Sequence, residues 1–172
     1  DTRIELESGR TSALELTIEE LNIQAPRETN GIDLKSGGTY DNKLYISGEC
    51  KVEVPTSAGG GIDNKGAGVH IPVSSKLIID KLSGLSDDEA SLETIGYYGA
   101  GIGGGRNGGG GDIRILGGKI VARAKGTGFD GGAGIGGGAD GSATSIEISG
   151  GEITALGYAY GAGIGGGIRG NG

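Results

Sequence analysis

Apolar residues along this chain fall in short runs of period two, broken by Gly, Asn, Asp or Ser. The clearest are Ile113-Arg114-Ile115, Ile120-Val121-Ala122, Ile146-Glu147-Ile148 and Ile153-Thr154-Ala155. Alternation over so few residues predicts strands with one face turned inward rather than helices. Residues 13–17 and 21–25 read as two further strands, and 17–22 is too short for a helix. No apolar stretch approaches the length of a membrane-spanning helix.

The runs repeat. Gly-Ala-Gly-Ile-Gly-Gly-Gly occurs at 99–105, 132–138 and 161–167. The first two copies are followed by x-Ile-x-Ile-x-Gly-Gly-x-Ile-x-Ala, at 112–122 and 145–155. Degenerate copies lie at Gly31-Ile32-Asp33-Leu34, at 44–52 and at Gly60-Gly61-Ile62-Asp63. Ile32, Ile62, Ile102, Ile135 and Ile164 then anchor successive units of about 30 residues. One longer unit holds an insertion at 83–91, expected to bulge outward as an acidic loop. Short strands turned at glycine, with equivalent isoleucines stacked inside, predict an all-β fold. The specific expectation is a single-stranded, right-handed parallel β-helix, a solenoid with coils of about 30 residues, forming one domain over 1–172.

Composition narrows the chemistry. Glycine makes up 42 residues and proline only 3, which excludes collagen and polyproline patterns. The net charge of −7 disfavours nucleic acid, whose phosphates call for clustered Lys and Arg. It also disfavours anionic membranes and permits a hard cation such as Ca²⁺. Cys50 is the single cysteine, so no internal disulfide forms, and it is expected to be a small buried hydrophobe. The chain opens on Asp1, lacks methionine and closes just after a motif copy, so it is expected to be a fragment of a larger protein.

The order Gly-Ile-Asp, strand-Ser-Gly, Gly-Ile-Asp-Asn, Lys76-Leu77-Ile78-Ile79-Asp80, then repeated Gly-Ala-Gly-Ile-Gly-Gly-Gly with Ile-Ser-Gly-Gly-x-Ile-Thr-Ala resembles a known family. It is similar to the glycine-rich, carbohydrate-binding-type, pectate-lyase-like β-helix domains of Gram-positive bacterial surface proteins. The resemblance covers about residues 13–172 and implies an extracellular setting, at the cell surface or secreted. It transfers no residue-level binding signature.

Candidate site residues follow from position. Tyr97, Phe129 and Tyr158 each follow a glycine and precede a motif isoleucine by five or six residues, with Tyr98 and Tyr160 beside them. In stacked strands they would form an aromatic ladder with steps of about 4.8 Å, fit to stack on sugar rings. The alternative is a buried stack that holds the turns in register. Arg106 lies beside this row. Asp63, Asp112, Asp130 and Asp140 stand near glycine corners and are candidates for Ca²⁺, or for turn residues bonded to their own backbone. Arg114 and Glu147 read as a cross-strand pair. His70, the only histidine, alternates away from its apolar neighbours and is expected to face solvent. No nucleophile–base spacing surrounds it.

The expected function is a non-catalytic adhesion module that binds a polysaccharide or host glycan, without nucleic acid or membrane insertion. Two alternatives stand beside it. One is a purely structural stalk. The other is a Ca²⁺-dependent polysaccharide lyase-like enzyme.

Overall fold

A computed structural model describes residues 2–6, 11–26, 29–35, 40–55 and 66–172. Numbered along the chain, the strands are β1 (Ile4–Glu5), β2 (Glu15–Glu19), β3 (Asn22–Gln24), β4 (Ile32–Asp33), β5 (Asp41–Glu53), β6 (Val69–His70), β7 (Lys76–Lys81), β8 (Ala90–Tyr97), β9 (Ile102–Gly103), β10 (Gly110–Ile115), β11 (Lys119–Lys125), β12 (Ile135–Gly136), β13 (Ala143–Ile148), β14 (Glu152–Leu156) and β15 (Ile164–Gly165). Alternation makes them. In β11, Ile120, Ala122 and Ala124 point inward while Lys119, Val121, Arg123 and Lys125 are partly exposed.

Two parallel sheets result. One has six strands in the order β1-β4-β6-β9-β12-β15. The other has nine, because β5 runs on for 13 residues and pairs with β2 and β7 along its first half, with β3 and β8 along its second. Gly48, at φ 66°, lets the strand bend without breaking, and one of the two sheets is a curled half-barrel. This corrects the expected single-stranded right-handed parallel β-helix. Two of the expected short runs form one strand, β5, and the arrangement of all strands in two parallel sheets is the finding that overturns it. All-parallel pairing is the connectivity of α/β sheets, where helices usually make the crossovers. Here the connections are strands of the opposite sheet and loops. The only helix among the described residues is one 3-10 turn, Asp87–Glu89.

The six-stranded sheet aligns Ile4, Ile32, Val69, Ile102, Ile135 and Ile164 side by side. Val69 therefore takes the place expected for Ile62, which lies outside the described residues. The step between neighbours is 28, 37, 33, 33 and 29 residues, so the repeat is less even than the sequence spacing implied. Ile32, Val69, Ile102 and Ile135 of this column join Ile18, Ile23, Ile46, Ile79, Leu92, Ile113, Ile115 and Ile120 in one core, Ile4 packs against its edge, and Ile164 at the far end is exposed. Each such side chain, fully buried, contributes about 1.5–3 kcal/mol. Cys50 is buried in the same core.

The insertion is clamped rather than free. The Asp87 carboxylate accepts hydrogen bonds from the Gly118 backbone N–H (2.7 Å) and from Lys81 Nζ (2.8 Å), and β8 already begins at Ala90. Ser86 and Glu89 close a capping box over the turn.

Of the buried polar residues among those described, Asp33, Asn42, Ser75 and Thr94, only Thr94 is completely shut off from solvent. Thr94 sits between Val52 and Ala122, fully buried, and its hydroxyl has no hydrogen-bond partner among the described residues. An unpaired buried hydroxyl is costly. Thr94→Val should therefore raise stability by about 1–2 kcal/mol, seen as a higher urea midpoint with an unchanged slope.

Candidate functional site

The corners that precede and follow the heptapeptides gather most of the predicted site residues. After each copy the chain makes a turn closed by a backbone bond: Gly108 N–H to Gly105 O (2.9 Å), Gly141 to Gly138 (2.8 Å) and Gly170 to Gly167 (2.9 Å). The third residue of each turn has positive φ: Asn107 at 60°, Asp140 at 63° and Arg169 at 61°. That is the position for which type II turns favour Gly or Asn. Stacked turns thus hold Asn107, Asp140 and Arg169 at equivalent places, with Asn107 N–H donating to Ala139 O and Asp140 N–H to Ile168 O.

An ionic cluster forms there. Arg106 lies over the Tyr98 ring, 4.8 Å from its centre, and donates to Asp130 Oδ2 at 3.0 Å. The other Asp130 oxygen accepts from Arg169 at 3.1 Å, and Arg169 also binds Asp140. The Arg169 bond holds the Asp140 carboxyl below the usual carboxylate range, against a small opposing effect of burial. It raises the Arg169 guanidinium in turn, helped by Asp130.

The candidate Ca²⁺ residues therefore do not converge. Asp130 and Asp140 meet only through Arg169: both Asp130 oxygens and Asp140 Oδ1 contact guanidinium groups. Asp112 stands on β10 in register with Lys76 and Ser145, and Asp63 lies outside the described residues. Among the described residues no three His, Cys, Asp or Glu side chains are grouped to hold a metal.

The aromatic row splits in two. Tyr97 and Tyr98 are each 2% exposed and pack edge to face, 4.9 Å between centres, in a small cluster with Ala25 and Val54. Burial pushes the Tyr97 hydroxyl pKa up. The Tyr98 hydroxyl is hydrogen-bonded to that of Thr127. For these two residues the buried-stack alternative describes the arrangement. Phe129 and Tyr160 are the opposite case, 70% and 69% exposed. Their rings lie 5.7 Å apart and 31° from parallel. Each occupies a tight turn, Thr127 to Asp130 and Tyr158 to Gly161, whose second residue has positive φ (Gly128 and Ala159). Tyr158 is half-buried against Gly126 and Gly131. The partner of Phe129 is thus Tyr160, not Tyr158.

No protein family, curated protein or solved structure matches the chain.

Two features escaped sequence reasoning. Arg169 was not among the candidate site residues, although its offset from the heptapeptide, shared with Asn107 and Asp140, was the available signal. The second is a buried polar network on the six-stranded sheet. His70 is not simply solvated. Its Nδ1 lies 2.7 Å from Asp33 Oδ1, and Asp33 is 5% exposed. Asp33 also accepts from Asn30 Nδ2 (2.9 Å) and the Lys35 N–H (3.1 Å), with Lys35 Nζ at 3.4 Å. Nothing in the sequence announces a contact across 37 residues.

Elsewhere the outer faces are covered by paired charges. Arg114 binds Glu147 through two contacts of 3.0 Å, as the sequence reading expected. A groove of about 570 Å³ crosses β5, β8 and β11, but its Lys51, Glu93 and Arg123 already pair with one another at 3.5–3.6 Å.

Proposed function

We propose that this chain is a non-catalytic, extracellular binding module of a bacterial surface protein, and that it grips a polysaccharide or host glycan on the Phe129–Tyr160 platform. The observation that carries this reading is the exposure of two adjacent, mutually tilted rings in turns that the fold does not need them to fill. Large apolar rings left in water form a stacking surface for the apolar face of a sugar. Asp130 follows Phe129 directly, so the Asp130–Arg169–Asp140 cluster offers charged hydrogen-bonding groups beside the rings for sugar hydroxyls. The cell-surface or secreted location and the attachment to further domains belong to the same proposal and rest on the resemblance described above.

A second reading, a purely structural stalk, draws support from the outer faces. Their charges are matched in columns, as at Glu15–Lys43 and Arg114–Glu147, which leaves little unsatisfied for a ligand.

Affinity electrophoresis against a panel of soluble polysaccharides separates the two. Retardation by at least one glycan is expected, with each of Phe129→Ala and Tyr160→Ala weakening it about tenfold. Tyr97→Phe should leave it unchanged, because Tyr97 is buried. Failure of every glycan to bind, or binding indifferent to both alanine variants, would sink the proposal and favour the stalk.

A further inference from the structure

The chain contains three Asn-Gly pairs, at 30–31, 107–108 and 171–172. In such a pair the backbone nitrogen of the glycine attacks the asparagine Cγ. A proton leaves the nitrogen, ammonia departs, and a five-membered succinimide forms. Water then opens the ring at either carbonyl to give aspartate or isoaspartate. Glycine favours the attack because no Cβ obstructs it and its backbone reaches the needed angles. Sequence alone ranks the pairs at 30 and 107 as equals.

The structure separates them. The Asn30 amide is held at both ends, Nδ2 donating to Asp33 Oδ2 (2.9 Å) and Oδ1 accepting from the Ala67 N–H (2.9 Å). Gly31 is buried, and its N–H donates to Ala67 O (3.1 Å). A Cβ at Gly31 would meet Val52 Cγ1 at 2.2 Å and Gly68 O at 2.6 Å, so the backbone there has no room to turn. Attack at Asn30 requires local opening of the sheet. Asn107 is exposed, sits at the tip of a turn with φ 60°, and its side chain makes no hydrogen bond among the described residues. One bond, Gly108 N–H to Gly105 O, holds its nucleophile. That bond lies in a surface turn of glycines, where opening is easier than in the core.

We propose that Asn107 is a site of spontaneous deamidation in the folded protein and that Asn30 is protected. The product places a new carboxylate beside Arg106 and at the position equivalent to Asp140. In the isoaspartate form it also lengthens the backbone of the turn that Gly105–Gly108 closes.

The test is peptide mapping by mass spectrometry after incubation at mildly alkaline pH, with the folded chain and the chain in urea run in parallel. In urea the two sites should convert at similar rates. In the folded chain, conversion at Asn107 should be at least about tenfold faster than at Asn30. Asn171, past β15 at a sheet edge, is expected to behave like Asn107. Asn107→Gln should remove the Asn107 share of the acidic form that ion-exchange chromatography resolves as it grows in, leaving the share that comes from Asn171. Equal folded rates at the two sites, a faster Asn30, or an Asn107 that stays intact while the urea sample converts would each overturn the proposal.

Discussion

Gly136→Ala is expected to cost roughly 3–5 kcal/mol and to lower the urea midpoint far below that of the parent chain. Gly136 sits in β12, paired on one side with β9 and on the other with β15. Its φ is 132°, a region that L side chains rarely adopt. A Cβ there would lie 2.0 Å from Gly165 O, a backbone atom fixed by the next layer. Neither problem can relax without parting β12 from β15, which carries Ile164 beside Ile135. Gly128→Ala is the matched control. Its φ of 62° carries the ordinary left-handed cost of about 1–2 kcal/mol, and nothing stands within 4 Å of the new methyl. Urea unfolding followed by circular dichroism measures both. Similar midpoints for the two variants would show that the stacked glycines are not the close contacts described.

Asp33→Ala should be the most damaging polar substitution, at about 3 kcal/mol. It strips the acceptor from His70, Asn30 and the Lys35 N–H at once and leaves those donors half-buried. Its effect should also depend on pH. Burial alone would raise the Asp33 carboxyl. The bonds from His70 and Asn30, the His70 charge and the Lys35 N–H outweigh it and hold the group well below the carboxylate range. A folded value below the unfolded one means that folding favours the ionised form. The stabilisation is therefore complete above the ordinary carboxylate pKa of about 4 and drains away as pH falls toward the folded value. The parent chain should lose stability steeply from about pH 4 downward, and Asp33→Ala should show a visibly shallower acid slope. Parallel slopes for parent and variant would mean that other carboxylates carry the acid sensitivity.

Some of this could be read from residues. Ile102, Ile135 and Ile164 were legible as one column, because a motif repeated without error fixes which residues can lie side by side, and a degenerate copy added Ile32. Ile62 misled, since Gly-Ile-Asp at 61–63 copies Gly-Ile-Asp at 31–33, whereas pairing chose Val69. The joining of two strand runs into β5 was hidden because Ser47-Gly48 is a turn signal, and here the glycine's positive φ bends a strand that continues. Burial of Tyr97 and Tyr98 stood in the sequence only as the buried-stack alternative. Tyr98 adopts φ 58°, so period-two alternation fails at that corner and both rings turn inward. The exposed pair was half legible: Phe129 and Tyr160 were both candidates, but the unequal connections from β11 to β12 and from β14 to β15 set Tyr160 rather than Tyr158 as the neighbour. The Asp33–His70 contact depended on a 37-residue step that no periodicity supplied.

The two equal steps, Val69 to Ile102 and Ile102 to Ile135, carry a consequence for how such a chain can change over evolutionary time. Every named strand pairs only with strands one layer away. A tandem duplication of one 33-residue unit would meet familiar neighbours on both sides, with isoleucine against isoleucine and glycine against glycine. Lengthening would disturb no distant contact and would need no compensating change. Genes for such proteins can therefore gain or lose whole units in single recombination events, whereas a shift of even one residue within a unit would turn its buried face outward.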